Sequence, residues 1–407
     1  MLEMTPTITP AKFRPEANPP TAVRSQPCFD AACAVTSGER GSEVSLTIKP
    51  MPGEGIADLF NRLAGMLEKL NATILHLTIF GSISANATAM EAMQRRFGKI
   101  DWPVTWIEGA ACDGNPIAGL QIFGFTGGTV DRISLDGRVV GSVFDDGAAR
   151  HCLLGGLGPV RNSIPRPDQT TETLDNLALA LAQGGFCLAD TVRTWFFLDD
   201  LLSWYDEFNR TRTRIYSGVN FRTGSLPAST GIGAKNPAGD ALTVGAWAMR
   251  PLDSSARAVE VASPSQCPAP AYGSSFSRAM EMSSPAGRRL LISGTASIAP
   301  DGKTLWPNDA RKQVAQSMQV VEAILHSRDF QFSDLTRATA YFKHRADAQA
   351  LTEWCLARGL RTLPVTVVEC DICRDDLLFE LEADAWHPDA HSPEFNAPSC
   401  ERSNGRK

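Results

Sequence analysis

The pattern of hydrophobic and polar residues repeats three times along this chain, with helix-type and strand-type spacings in the same order each time. In each copy, apolar residues three and four apart predict an amphipathic helix, and a run rich in β-branched residues then predicts a strand. The first helix of the three copies shows this spacing at Ile56, Leu59, Leu63, Leu67 and Leu70, at Leu174, Leu177 and Leu181, and at Val314, Met318, Val321 and Leu325. A second helix and two strands follow, so the repeating unit is helix, strand, helix, strand, strand. A hairpin-like pair of strands precedes the second and third copies.

Each copy has a proline at a matching place, from which the last strands of the three copies can be aligned. Only the third copy has an acid at one of the aligned positions. Counting sixteen residues onward from Pro103, Pro227 and Pro364 reaches Gly119, Thr243 and Glu380, respectively. Side chains alternate across a strand, so Glu380 and Glu382 share one face while the apolar residues of the strand share the other. This stretch by itself fits a solvated acidic face as well as a catalytic one. The presence of the acid in one copy of the three favours the catalytic interpretation.

The repeats divide the chain into three units, each of which has the size of a domain. Proline-rich polar stretches before the first unit and after the third have no stable periodicity, which is typical of disorder. We expect a disordered leader over 1–41, units over 42–127, 128–250 and 271–387, a linker rich in Ser, Ala and Pro over 251–270, and a disordered tail over 388–407. The predicted fold class is α+β, with mixed sheets packed against helices.

Composition limits the partners that the protein can have. The net charge of -6 argues against nonspecific nucleic-acid binding, which needs a basic excess. No segment approaches the roughly 18 apolar residues of a membrane helix. Ten cysteines are scattered along the chain, as suits the reducing cytosol. We therefore expect a soluble cytoplasmic protein without nucleic-acid or membrane partners.

The repeat resembles the Rid/YjgF fold, also called chorismate-mutase-like, in which trimers hold active sites in the clefts between subunits. Three tandem units in one chain then imply a pseudo-trimer, present as a monomer or a weak homo-oligomer. In the imine-deaminating members of that fold, an arginine two residues after the proline binds the substrate carboxylate. The matching residues here are Thr105, Ser229 and Thr366. The missing arginine counts against imine deamination, which stays open as an alternative.

Over about residues 42 to 387 the chain is similar to the chorismatase family, also described as pteridine-dependent deoxygenase-like. The segments that carry the similarity are LPASTGIG at 226–233, SFSRA at 275–279, AYFK at 340–343 and ECDICRDDLLFELEADA at 369–385. In that family a glutamate on the last core strand is the catalytic acid, and Glu380 occupies that place. Members that make 3-hydroxybenzoate have a cysteine seven residues earlier, which Cys373 matches. Members that make the dihydrodiol lack this cysteine.

The resemblance implies that chorismate is the small-molecule substrate, with 3-hydroxybenzoate and pyruvate as products. Protonating the methylene carbon of the enol ether starts the cleavage, and a carboxylic acid with a raised pKa can supply that proton near neutrality. The two substrate carboxylates need separated cations. The candidate cations are Arg278 and Lys343, with Arg222 behind them, and the candidate hydrogen-bonding phenols are Tyr272 and Tyr216. Either tyrosine can instead be an interface aromatic, and Arg278 an ordinary surface residue.

Cys373 is expected to steer the outcome through its shape or a weak hydrogen bond rather than as a nucleophile, with a small buried hydrophobe as the alternative. No step of the reaction requires a metal, a nucleotide or a pteridine, so no cofactor and no metal site are expected. Three other functions stay open. They are hydrolysis of chorismate to a dihydroxycyclohexadienoate and pyruvate, Rid-type imine deamination, and ligand binding without catalysis.

Overall fold

The computed structural model describes residues 31–38 and 40–388 of the chain. This part folds into three mixed sheets with α-helices packed on one side of each, as the α+β prediction requires. None of the helices in the described part is long and apolar enough to cross a membrane. The predicted disorder at 1–30 and 389–407 lies outside the described residues, as does residue 39.

The first unit is built on a five-stranded sheet with the strand order β1-β2-β6-β3-β4. Its elements are β1 (Ala31–Gly38), β2 (Gly41–Ile48), α1 (Ile56–Leu70), β3 (Thr73–Gly81), α2 (Asn86–Phe97), β4 (Val104–Glu108), β5 (Ala110–Ala111) and β6 (Ile117–Thr126). Strands β3 and β4 are parallel, because α2 carries the chain back between them. The short β5 leaves this sheet and pairs with a strand of the third unit.

The second unit repeats this arrangement in a six-stranded sheet with the order β11-β10-β12-β9-β8-β7. Its elements are β7 (Asp131–Leu135), β8 (Arg138–Asp145), β9 (Ala149–Leu157), α3 (Arg166–Gln183), β10 (Thr191–Leu198), α4 (Tyr205–Tyr216), β11 (Ala228–Gly233) and β12 (Leu242–Pro251). Here β10 and β11 form the parallel pair, and α4 is the crossover.

The third unit has the sheet order β13-β14-β15-β18-β16-β17, and β5 of the first unit extends its edge. Its elements are β13 (Arg257–Val261), β14 (Ala279–Ser284), β15 (Gly287–Ala296), α5 (Ala310–His326), β16 (Leu335–Phe342), α6 (Gln349–Ala357), β17 (Val365–Glu369) and β18 (Phe379–Pro388). A short 3-10 helix, Ala269–Tyr272, precedes β14. Strands β16 and β17 form the parallel pair.

Each sheet buries one face against its own helices, and the opposite faces of the three sheets meet in a shared central cluster. Phe379 and Leu381 of β18 lie in the helix-facing core of the third unit. Because side chains alternate along a strand, Glu380 and Glu382 therefore point toward the other units. They are 4% and 1% exposed. The alternative of a solvated acidic face is wrong, since that face is covered by the second unit.

Two predicted boundaries are wrong in the described part. Residues 31–38, assigned to the disordered leader, form β1, which pairs with β2 along its whole length. The first unit therefore begins with a hairpin as the other two do. Residues 257–261, assigned to the linker, form β13 at the sheet edge. Both segments have few fully buried residues, so their own hydrophobic pattern is weak and pairing with a neighbouring strand fixes them.

Candidate active site

The second and third units meet along β11 and the start of the third sheet. The backbone N–H of Ser229 donates to Ser293 Oγ at 2.8 Å, and the N–H of Gly294 donates to Thr230 Oγ1 at 3.1 Å. Gly233 and Asp371 exchange backbone hydrogen bonds farther along the same seam. These contacts hold β11 against β15 and the loop before β18, and Thr230 Oγ1 of β11 also donates to Glu382 Oε2 of β18 at 2.6 Å. Glu380 therefore lies in the cleft between two units.

Glu380 occupies space that a glycine provides. Gly294 lies at an irregularity in the pairing of β15 with β18, and a Cβ at position 294 would overlap Glu380 Oε1. Among the described residues the Glu380 carboxyl has no hydrogen bond or ion pair. Burial, and next the negative charge of Glu382, raise the pKa of Glu380 to about 8, against the smaller opposing effects of Arg278 and Arg193. The residue is therefore a neutral carboxylic acid at neutral pH.

Glu382 has the opposite environment although it lies two residues away on the same face. Its carboxylate accepts hydrogen bonds from Arg193 Nη2 at 2.7 Å and from Arg337 Nη1 at 2.8 Å. Hydroxyl donors add to these, Thr230 Oγ1 at 2.6 Å and Thr339 Oγ1 at 3.1 Å. These partners outweigh the effect of burial and lower the pKa of Glu382. The strand thus carries a protonated acid beside an ionised one.

Arg278 lies at the same cleft and is 3% exposed. Its Nε and Nη2 donate to the carbonyl oxygen of Cys267 at 3.0 and 2.9 Å, and its guanidinium lies over the rings of Tyr272 and Phe276. No carboxylate in the described part pairs with it. A buried guanidinium without a counter-ion is suited to bind the carboxylate of a ligand. Tyr272 is half-buried, and burial raises its pKa to about 12, so its hydroxyl stays a donor.

Cys373 lies in the loop before β18 and packs between the cores of the second and third units. Burial, and next the charge of Glu380, raise the pKa of its thiol to about 12. The thiol is therefore neutral and a poor nucleophile. The structure thus brings together four of the residues singled out in the sequence, Glu380, Cys373, Arg278 and Tyr272.

The other three candidates have different surroundings. Lys343 Nζ is paired with Asp375 Oδ1 at 2.7 Å. Arg222 has a side chain that is 56% exposed and is paired with Asp190. Tyr216 is buried in the core of the second unit against Phe221. Their roles in binding substrate stay predictions, and the geometry favours other side chains for that task.

Two residues of α4 reach the cleft and were not singled out in the sequence. The Tyr205 hydroxyl lies 3.3 Å from where a Cβ of Gly231 would be, and burial together with the nearby Cys373 raises its pKa. Arg212 is 1% exposed, and its Nη2 donates to Asn209 Oδ1 at 2.7 Å. Its Nε has no partner, and no carboxylate of the described part pairs with it. Tyr205 lies within electrostatic reach of both Arg212 and Glu380.

A sequence signal for these residues existed, but it was weak. The chain has four tyrosines in all, and Tyr205 lies at the start of α4, where its ring stacks with Phe208. Arg212 follows it by seven residues, which places both on one face of the helix. α4 contacts the third unit through Thr213 Oγ1 and Ser275 Oγ at 2.6 Å, and Tyr205 lies within electrostatic reach of Glu380. This placement depends on packing between units, which the sequence pattern does not show.

At the two corresponding places between the other units, an atom of one unit lies close to a glycine of its neighbour. Between the first and second units, the carbonyl oxygen of Val104 lies against Gly156, which has a positive φ of 63°. Between the third and first units, Thr366 lies against Gly119, where a Cβ would be 2.8 Å from its Cγ2. Neither cleft has an acid at the position of Glu380. In the described part, no cluster of His, Cys, Asp and Glu side chains has the arrangement of a metal site.

Comparison with known proteins agrees with this architecture. Residues 267–387 match the family model described as Endoribonuclease L-PSP. The chain is 25% identical to a 3-hydroxybenzoate synthase of Streptomyces hygroscopicus, over 48% of this chain and 64% of the synthase. It is also 25% identical to a chorismatase of the same organism, over 47% of this chain and 60% of that protein. The alignments thus span less than two thirds of these relatives' lengths.

A crystal structure of a chorismatase has the same fold. It superposes with a TM-score of 0.61 at 19% identity and covers 86% of this chain and 99% of the solved chain. The same architecture is supported by the three repeated sheet-and-helix units, by the family-model match of the third unit and by the alignments to both curated relatives. The chain is thus similar to chorismatases in sequence and has the fold of a solved chorismatase, built here from three tandem Rid-like units.

Proposed function

We propose that this protein cleaves chorismate to 3-hydroxybenzoate and pyruvate, with Glu380 as the proton donor. The observation that carries the proposal is a buried carboxylic acid, neutral at pH 7, that faces a cleft and has no protein partner in the described part of the chain. Two buried arginines have no carboxylate partner in the described part: Arg278 lies within electrostatic reach of Glu380, and Arg212 lies within electrostatic reach of the neighbouring Tyr205. The relatives named chorismatase and 3-hydroxybenzoate synthase support the choice of substrate.

The arginines are suited to hold a dianionic substrate. Chorismate carries one carboxylate on its ring and one on its enolpyruvyl group, so a complementary pocket needs two separated cations. Arg212 comes from α4 of the second unit and Arg278 from the segment before β14 of the third. Each guanidinium can donate to a carboxylate without first breaking an ion pair. Tyr205 and Tyr272 keep their protons and can donate hydrogen bonds to substrate oxygens.

The proposed reaction starts with transfer of the Glu380 proton to the methylene carbon of the enolpyruvyl ether. The methylene becomes a methyl group, the ether carbon becomes an oxocarbenium ion, and Glu380 becomes a carboxylate. In the synthase route the ring hydroxyl oxygen displaces the ether oxygen from the adjacent ring carbon, and pyruvate leaves. The bond between that hydroxyl oxygen and its original ring carbon then breaks, and the ring becomes aromatic by losing the proton on the carbon that now carries the oxygen. The Glu380 carboxylate can take up that proton. Chorismate then yields 3-hydroxybenzoate and pyruvate with no added water.

Cys373 bears on the choice between this route and hydrolysis. In hydrolysis, water adds to the oxocarbenium ion, and the products are a dihydroxycyclohexadienoate and pyruvate. The neutral thiol of Cys373 packs between two apolar clusters, so it fills space beside Glu380 with a group that binds water weakly. We infer that it disfavours a water molecule in the pocket.

The test is incubation of the purified protein with chorismate without added cofactor, followed by chromatography of the products and an assay for pyruvate. Glu380→Gln is the inactive variant, and Glu207→Gln, at an exposed position of α4, is the matched control. Pyruvate with 3-hydroxybenzoate is the expected result. Pyruvate with the dihydroxycyclohexadienoate would keep the proton-transfer step and overturn the role of Cys373. Pyruvate no higher than with Glu380→Gln would refute chorismate cleavage and turn attention to imine deamination or ligand binding.

A further inference from the structure

We propose that Glu382 is a positioning residue that keeps Glu380 in its protonated, proton-donating form. The inference rests on the proposed function for its catalytic meaning. Its structural basis, two acids with opposite partners on one face of β18, is independent of the substrate. Successive residues on one face of a strand are about 7 Å apart at their Cα atoms. In a buried setting, a fixed negative charge at that separation acts strongly on a neighbouring acid.

The charge on Glu382 is fixed by its partners. Arg193 and Arg337 donate to opposite carboxylate oxygens, Oε2 and Oε1, and a threonine hydroxyl donates to each oxygen as well. All of these groups are buried. Protonating Glu382 would leave two buried guanidinium groups with reduced compensation, which is costly. Glu382 therefore remains a carboxylate under conditions in which its neighbour is neutral.

Arg193 and Arg337 use their hydrogen bonds on groups other than Glu380. Arg193 Nη2 donates to Glu382 and to Thr230, and Arg337 Nε donates to Asp384 at 2.7 Å. Neither guanidinium forms an ion pair with Glu380. The titratable or charged groups that face Glu380 are Glu382 on its own strand, Tyr341 on β16, Arg193 on β10, Arg278 before β14, Cys373 before β18, and Tyr205 on α4. Among them Glu382 is the one that disfavours ionisation of Glu380 most strongly.

The decisive readout is the carboxylic-acid carbonyl band of Glu380 in the infrared spectrum, isolated by subtracting the spectrum of Glu380→Gln in each background. In the wild-type protein this band should fade around pH 8. In Glu382→Gln we expect it to fade at a pH lower by at least about one unit. Glu382→Asp keeps the charge and should restore most of the wild-type midpoint. An unchanged midpoint in Glu382→Gln would overturn the proposal.

Asp384→Asn is the matched control for loss of a buried ion pair. Asp384 is on the same face of the same strand and pairs with Arg337, but it lies four residues from Glu380. Its replacement should leave the titration of Glu380 in place, and an equal shift would contradict a specific role for Glu382. If Glu382→Gln does not fold, Glu382→Gln combined with Arg193→Gln removes both charges together. A smaller shift in the same direction is then expected, because Glu382 affects Glu380 more than Arg193 does.

Activity gives a second, separable result. If the protein releases pyruvate from chorismate, the alkaline limb of kcat in Glu382→Gln should move to lower pH, with a loss of about fivefold at pH 8 for a shift of one unit. A wild-type protein without pyruvate release would refute the proposed substrate, while the infrared titration would still decide the role of Glu382. Pyruvate release with an unmoved limb would refute the role of Glu382 alone.

Discussion

Replacing Glu380 by glutamine should stabilise the fold while it removes the proposed proton donor. Glutamine has the shape of the neutral carboxylic acid but cannot ionise. In the folded protein the pKa of Glu380 is raised from 4.5 to about 8, first by burial and then by Glu382. The unfolded chain exposes this side chain to water and restores its ordinary pKa. The acid therefore makes the free energy of unfolding depend on pH, and the variant should lack that dependence.

The sign and size follow from proton linkage. Below pH 4.5 the acid is neutral in both the folded and the unfolded state, so its ionisation takes nothing from the free energy of unfolding. As pH rises toward 8, the unfolded chain releases the proton and the folded chain retains it. The free energy of unfolding then falls by about 1.4 kcal/mol per pH unit. At pH 7 the wild-type protein should have lost about 3 kcal/mol through this one group, and the loss should level off above pH 8.

The assay is urea unfolding of the wild-type protein and Glu380→Gln at several values between pH 5 and 9. The two proteins should differ least at pH 5, by about 1 kcal/mol or less, and the variant should gain steadily up to pH 8. Glu91→Gln is the control, because its side chain is 71% exposed on α2 and should give a curve parallel to that of the wild type. A difference between wild type and Glu380→Gln that is the same at every pH would refute the assignment of a neutral buried acid.

Three further predictions concern binding, product choice and space in the cleft. Arg212→Gln should raise the KM for chorismate by roughly 10- to 100-fold through loss of a charged hydrogen bond. Arg214→Gln, on an outer part of the same helix, should leave the KM unchanged. Equal KM values for the two variants would contradict the role of Arg212. Cys373→Ala should shift the products toward the dihydroxycyclohexadienoate, as measured by chromatography, and an unchanged ratio would exclude a role in water exclusion. Gly294→Ala should cost about 1 to 3 kcal/mol in urea unfolding because its Cβ overlaps Glu380, and it should lower kcat; full activity would show that Glu380 has room to move.

Much of the architecture could be predicted from the sequence because it depends on local periodicity. The alternation along β18 correctly places Glu380 and Glu382 on one face, and the helix patterns recur at the observed α1, α3 and α5. Burial of that face could not be predicted, because the covering strand, β11, is about 150 residues away in the sequence. For the same reason the burial of Arg212 could not be predicted from the sequence. A buried arginine on a helix has the same local pattern as a surface arginine, and only its packing between Phe196 and Phe208 distinguishes it.

The centre of the molecule shows why three linked units can hold a charge arrangement that three identical subunits cannot. The positions that match Glu382 in the first and second units, eighteen residues after each proline, are Gln121 and Gly245. All three line one small central cavity, and Arg337 Nη1 donates both to Gln121 Oε1 at 3.0 Å and to Glu382. Three glutamates at these positions would bring three buried carboxylates together, and like charges at that distance would force protonation of at least one. With one glutamate, Arg193 and Arg337 balance Glu382 and Asp384, so Glu382 can stay ionised beside Glu380. Divergence of the repeats is thus a physical requirement for the acid pair, which explains why the pair occurs in one unit.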